Sequence, residues 1–189
     1  MNIIDGVTMP NWSRNTVTVR GEPEMIDEVQ RIKFDFNMIL PPPQALVDDC
    51  EAYCAKCKSR VRVDKSDYCT KCNIRDNIGG RVSSWEKGKK RYRQLNKDEI
   101  KLAKSWVKKY GTDSWYDWNT SNWGTKWNAG EVKMKRVDKN TLTARFDTAW
   151  APPSPIFDKL AGKYNVMVEV SAEIEGDDEL WKEVYGKEV

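Results

Sequence analysis

Histidine is absent from the 189 residues, and with it go the commonest general base at neutral pH and the usual nitrogen ligand of zinc. No Ser/His or Cys/His arrangement can be assembled, and no glycine-rich phosphate cradle is present. Asp113, Asp117 and Asp147 could in principle form an acid/base pair or bind Mg²⁺, but no spacing between them supports it. The chain is therefore expected not to be an enzyme. Apolar residues make up only 39% of it against 32% charged, which keeps the core modest. No apolar run approaches the roughly 18 residues of a membrane span, and no secretory h-region is visible. A soluble, cytoplasmic protein with no membrane partner is the expectation.

Two residue types run the other way. Nine tryptophans offset the apolar shortage, since each can bury a large area. Four of the five cysteines form Cys54-x-x-Cys57 and Cys69-x-x-Cys72, with 11 residues between the pairs. Paired thiolates at this spacing can close a tetrahedron around one Zn²⁺. Four sulfur ligands fill the shell and leave no place for an activated water, so the expected metal is structural. Redox disulfides or unligated thiols are the alternatives at the same positions, and Cys50 is a possible substitute ligand. Zinc in such sites supplies about 10–16 kcal/mol of folding energy. A segment as polar as 51–76 could hardly fold on buried apolar area alone.

The formal net charge of +3 conceals a strong asymmetry. Residues 1–54 hold 4 basic and 9 acidic side chains, residues 55–110 hold 18 and 6, and residues 111–189 hold 10 and 14. The middle third stays strongly positive even after four thiolates and one Zn²⁺ are counted. A field this localised attracts polyanions or an acidic protein face. The plain alternative is a set of solvated lysines.

Periodicity along the chain predicts an alternating strand over 15–20 and a helix over 23–33 carrying Met25, Ile26, Val29 and Ile32. Pro41-Pro42-Pro43 acts as a spacer. The cysteine loop follows over 44–80, then a basic, mobile connection over 81–96. Ile100, Ala103, Trp106, Val107 and Tyr110 form one stripe of a helix running from Asn96 to a stop at Gly111. Trp115, Trp118, Trp123 and Trp127 lie in an aromatic loop, read as a core plug with Trp12 and Trp150 in the same cluster; a ligand cage is the alternative. Strands over 131–137 and 141–148 form a hairpin, a short helix follows Pro152-Pro-Ser-Pro155, and 166–174 alternates again. Leu180, Trp181, Val184 and Tyr185 suggest a terminal helix.

Without its middle, the chain reads strand, helix, strand, strand, helix, strand. That is the βαββαβ order of a ferredoxin-like α+β sandwich, an antiparallel sheet with helices on one face. The expected body is 9–40 plus 128–175, interrupted by a zinc-ribbon insertion over 44–80. The basic linker, helix and Trp-rich loop take 81–127, and a helical tail takes 176–189. Such sheets bind RNA in some families through exposed aromatics. Val17, Val19, Val132, Met134, Val168 and Val170 are aliphatic, so an RNA-recognition motif is not expected.

Met9-Pro-Asn-Trp-Ser-Arg-Asn15, Trp123-Gly-Thr-Lys-Trp127 and Phe146-Asp-Thr-Ala-Trp-Ala-Pro-Pro153 resemble signature segments of the YubB-type ferredoxin-like family. The resemblance spans roughly residues 9–175 and implies a phage or plasmid origin and a ferredoxin-like fold, with no established activity. Ser13 stands where that family often has cysteine, which argues against a thiol function there.

The leading expectation is a non-enzymatic phage or mobile-element protein that binds nucleic acid, or the machinery acting on it, through the basic zinc-ribbon insertion. Lys56, Lys58, Arg60, Arg62, Lys71, Arg75, Arg81, Lys87, Lys89, Lys90, Arg91 and Arg93 are the candidate contacts, with Trp85 and Tyr92 interleaved. The alternative is an inhibitor or modulator of a host factor, docking on an acidic protein surface with no affinity for nucleic acid.

Overall fold

The computed structural model describes residues 11–47 and 97–187, with the backbone alone at Glu99 and in short paired strands within 1–10 and 48–96. The chain divides into two units, 1–41 with 119–189, and 42–118.

The first unit is the ferredoxin-like body. Its elements are β1 (Trp12–Arg20), α1 (Pro23–Ile32), a short α2 (Phe36–Ile39), β2 (Gly130–Asp138), β3 (Thr141–Ala149), α3 (Ser154–Tyr164), β4 (Met167–Ile174) and β5 (Trp181–Tyr185). All strand pairs are antiparallel and the order across the sheet is β2-β3-β1-β4-β5. The first four strands follow the βαββαβ scheme read from the sequence. β5 extends it at the β4 edge.

Alternation on the strands decides which face is buried. Ser13, Asn15, Val17 and Val19 of β1 are buried, with Leu142, Ala144, Phe146 and Thr148 of β3 and Val168, Val170 and Ala172 of β4. Ile26, Val29 and Ile32 of α1 and Ile156, Phe157, Leu160 and Ala161 of α3 supply the buried helical side. Each large apolar side chain so buried contributes roughly 1.5–3 kcal/mol. An aromatic chain runs through this core: Phe34 and Phe36 lie 5.3 and 6.2 Å from Phe146, and Phe157 links Phe146 to Tyr185 at 6.2 and 5.7 Å. Buried Asn15 is fully engaged, its Nδ2 donating to the carbonyls of Ser13 and Phe146 and to Thr148 Oγ1 at 3.1, 3.2 and 2.9 Å.

Local chemistry sets the ends. Pro23 opens α1 with its φ already helical, and Lys33 closes it in the left-handed region. Asp35 caps α2 by accepting from Asn37 N at 3.0 Å. The β2–β3 hairpin turns through Lys139 and Asn140, with Asp138 opposite Thr141.

The second unit holds a helical turn, Gln44–Val47, with Leu46 buried, and the helix Lys97–Tyr110. That helix buries Ala103 and half-buries Ile100, Trp106, Val107 and Tyr110, while Lys97, Lys101, Lys104 and Lys108 are exposed. Gly111, at φ +80°, ends it as expected.

Four expectations need correcting. The tail is strand β5 rather than a helix, because Trp181 and Tyr185 match the pleat and the edge of β4 offers unpaired backbone groups. The 81–96 segment contains two paired strands, Val82–Glu86 and Lys89–Tyr92, in place of a mobile connection. Val82, Trp85 and Tyr92 are the strand-favouring residues in it. The aromatic stretch begins as a helix, Trp115–Asn122, because Ser114 Oγ accepts from Tyr116 N at 3.2 Å and caps it. The tryptophan cluster also divides. Trp118 and Trp123 are buried, but Trp127 and Trp150 are 40% and 37% exposed.

Candidate nucleic-acid interface

The expected metal ligands Cys54, Cys57, Cys69 and Cys72 lie outside the residues whose side chains are described. So do the expected contacts Lys56, Lys58, Arg60, Arg62, Lys71, Arg75, Arg81, Lys87, Lys89, Lys90, Arg91 and Arg93. Backbone pairing around them is defined. The strand Tyr53–Cys54 pairs with Ile78–Gly79, and Tyr68–Cys69 pairs with Ile74–Arg75, which puts Cys54 opposite Ile78 and Cys69 opposite Ile74. Each cysteine pair thus begins at the end of a short paired strand. Among the described residues no group of three or more Cys, His, Asp or Glu gathers, so Asp113, Asp117 and Asp147 belong to no such cluster.

The body presents a charged surface that the sequence reading missed. The aliphatic residues cited against RNA recognition lie on the helix-covered face. The opposite face carries Arg14, Thr16, Thr18 and Arg20 of β1, Thr143, Arg145 and Asp147 of β3, and Glu169, Ser171 and Glu173 of β4. On β2 a register shift after Gly130, where Glu131 takes φ +45°, precedes the point at which Lys133 and Lys135 stand opposite Arg145 and Thr143. Lys133, Lys135 and Arg145 are all exposed. Among the described residues no carboxylate lies within ion-pair distance of any of the three, whereas Arg20 pairs with Glu169 and Arg136 with Asp27. Of the acidic members, Glu169 and Glu173 lie on β4 and Asp147 on β3 opposite Arg14, so the β2–β3 half carries Lys133, Lys135 and Arg145 against Asp147. A depression of about 300 Å³ on this face is lined by Arg14, Thr16, Arg145, Asp147, Ser171 and Glu173.

At one end of the same face lie Trp12, half-buried, and Trp127, exposed. Trp12 pairs with Ala149 in the ladder and follows the outward parity of Arg14. Its ring is 6.2 Å from that of Trp127 at an interplanar angle of 30°, and Lys126 Nζ sits 4.3 Å from the Trp127 centroid. Trp123, four residues earlier, instead packs edge-on against Phe36 at 5.6 Å and donates Nε1–H to Leu40 O at 2.8 Å. Trp150 takes φ +74° while its N–H donates to Asn11 O at 2.7 Å. Parity along β1 was the one sequence signal that could have placed Trp12 outside.

Among the described residues no helix is long and apolar enough to cross a membrane. No curated protein matches the chain. A crystal structure of a protein api92 from Yersinia pseudotuberculosis is similar at 11% identity, with a TM-score of 0.48 over 94% of each chain. Residues 122–185, from the end of the helix Trp115–Asn122 through β5, match the family model described as the ferredoxin-like domain in Api92-like protein.

Proposed function

We propose that the protein is a non-enzymatic accessory protein of a phage or mobile element that binds nucleic acid, its cysteine-rich insertion serving as a zinc-clasped basic contact surface. The observation that carries this is the charge of residues 55–110, 18 basic side chains against 6 acidic. Phosphates release condensed counterions when such a surface engages them, which gives affinity without sequence readout. The donor set fits structural zinc, since four thiolates saturate a tetrahedral ion. The paired strands at Cys54 and Cys69 support a ribbon-like clasp by holding one member of each pair in a hydrogen-bonded ladder. Lys56, Lys58 and Lys71 neighbour the ligands in sequence and offset the negative charge of the thiolates.

The test is a titration of the intact chain with labelled duplex and single-stranded oligonucleotides across salt concentration. Binding is expected to weaken by about 0.9 log units per log unit of salt for each duplex phosphate contacted. Failure to bind any oligonucleotide at low salt ends this reading.

A further inference from the structure

We propose that the open face of the body is itself a binding site for single-stranded nucleic acid: Lys133, Lys135 and Arg145 hold phosphates, and the Trp12–Trp127 pair stacks on bases. The ligand class rests on the nucleic-acid reading, but the site stands on residues of the body alone.

Three observations point to an occupant. Lys133 and Arg145 are directly opposite in the ladder, an arrangement that destabilises a sheet unless an anion lies between them. Neither has an ion-pair partner among the described residues. Trp127 is left 40% exposed in a chain short of apolar residues, with Trp12 beside it and a lysine over its ring.

Geometry joins the two parts into one track. Trp12, Arg14 and Thr16 are successive outward positions on β1, and neighbouring positions of that kind lie about 7 Å apart. Arg145 stands opposite Thr16, with Lys133 beyond it, two outward steps from the aromatic pair; Arg14 fills the step between, flanked by Asp147 and Glu173. Hydroxyls of Thr16 and Thr18 flank the cations and can donate to phosphate oxygens. A duplex keeps its bases stacked on each other and offers these rings nothing to stack on. A single strand offers both a backbone for the cations and ring faces for the tryptophans. An acidic peptide would neutralise the cations but leave the tryptophans idle.

The experiment measures binding of the full chain to an oligothymidylate on the order of 15 nucleotides, to its duplex and to polyglutamate, at low salt. Tryptophan emission should be quenched by the single strand. Trp127→Ala and Lys133→Glu/Arg145→Glu should each weaken single-strand binding about tenfold. Trp127→Phe should retain most of it, and Lys159→Glu, an exposed change on α3, should have less than a twofold effect. All side chains replaced at these positions are exposed, and circular dichroism confirms that each variant folds. The proposal is overturned if these variants bind the single strand normally while Arg91→Glu/Arg93→Glu abolishes binding, a result that leaves the wider nucleic-acid reading intact. Polyglutamate binding as tight as oligothymidylate binding and insensitive to Trp127→Ala also overturns it, in favour of an acidic partner. Absence of binding to every oligonucleotide sinks both readings.

Discussion

Lys133 on β2 and Arg145 on β3 face each other directly across the ladder, two exposed cations side by side. Like charges so placed cost a sheet roughly 0.2–1 kcal/mol. Arg145→Thr is therefore expected to raise the stability of the body by a few tenths of a kcal/mol in thermal denaturation at low salt. At about 1 M salt, where the screening length falls to about 3 Å, the gain should vanish. A loss of stability on this substitution would mean that the pair is compensated within the chain.

Asn15 joins β1 to β3 inside the core with three hydrogen bonds from one amide. Asn15→Ala removes the donor to the Phe146 carbonyl and the acceptor of Ser13 Oγ, leaves Thr148 Oγ1 with Ala151 O alone, and opens a void, at an expected cost of about 1–3 kcal/mol in urea unfolding. Unchanged stability would show that the amide contributes nothing net.

Two glycines with similar backbone angles separate strain from clash. Gly111 and Gly186 lie at φ +80° and +83°, but a Cβ at Gly186 would meet Val166 O at 2.4 Å, whereas Gly111 has open space. Gly111→Ala should cost about 1–2 kcal/mol for its left-handed backbone. Gly186→Ala should cost distinctly more, because Val166 leads directly into β4. Equal costs in denaturant unfolding would contradict the packing described for the end of β5.

Tyr185 tests the docking of β5 through pH. Burial, then the O–H donated to Glu183 Oε2 at 2.6 Å, pushes its phenol above the ordinary value of 10.0, outweighing a hydrogen bond with Ser154 that pulls it down. A raised folded-state pKa means that its stabilisation is fully present below pH 10 and is lost as pH rises beyond it. The urea midpoint of the native chain should fall more steeply than that of Tyr185→Phe as pH rises above about 10. Parallel pH profiles would show that the phenol is not held in that environment.

The strands of the body were legible because β-branched residues at period two, as in Val17 and Val19, leave little choice of face. Helix α1 and the helix Lys97–Tyr110 were legible from local signals, Pro23 opening the first and Gly111 stopping the second. The tail was not: Leu180, Trp181, Val184 and Tyr185 satisfy a helical spacing over too few residues to exclude a strand, and only the free edge of β4 decides. Nor could sequence separate Trp123 from Trp127. Both are tryptophans in one short stretch, and what buries the first is Phe36, almost ninety positions away. The cationic sheet face was overlooked for a related reason. Lys133, Lys135 and Arg145 are unremarkable alone, and only strand register brings them together.

Photocrosslinking of the intact chain to an oligonucleotide carrying 5-iodouracil, with peptides identified by mass spectrometry, reports the contact surface directly. Crosslinks are expected at Trp12 or Trp127 and within residues 54–93, with both sets suppressed by excess unlabelled single strand. Crosslinks confined to α1 and α3 on the opposite side of the sheet, or none at all, would contradict the assignment.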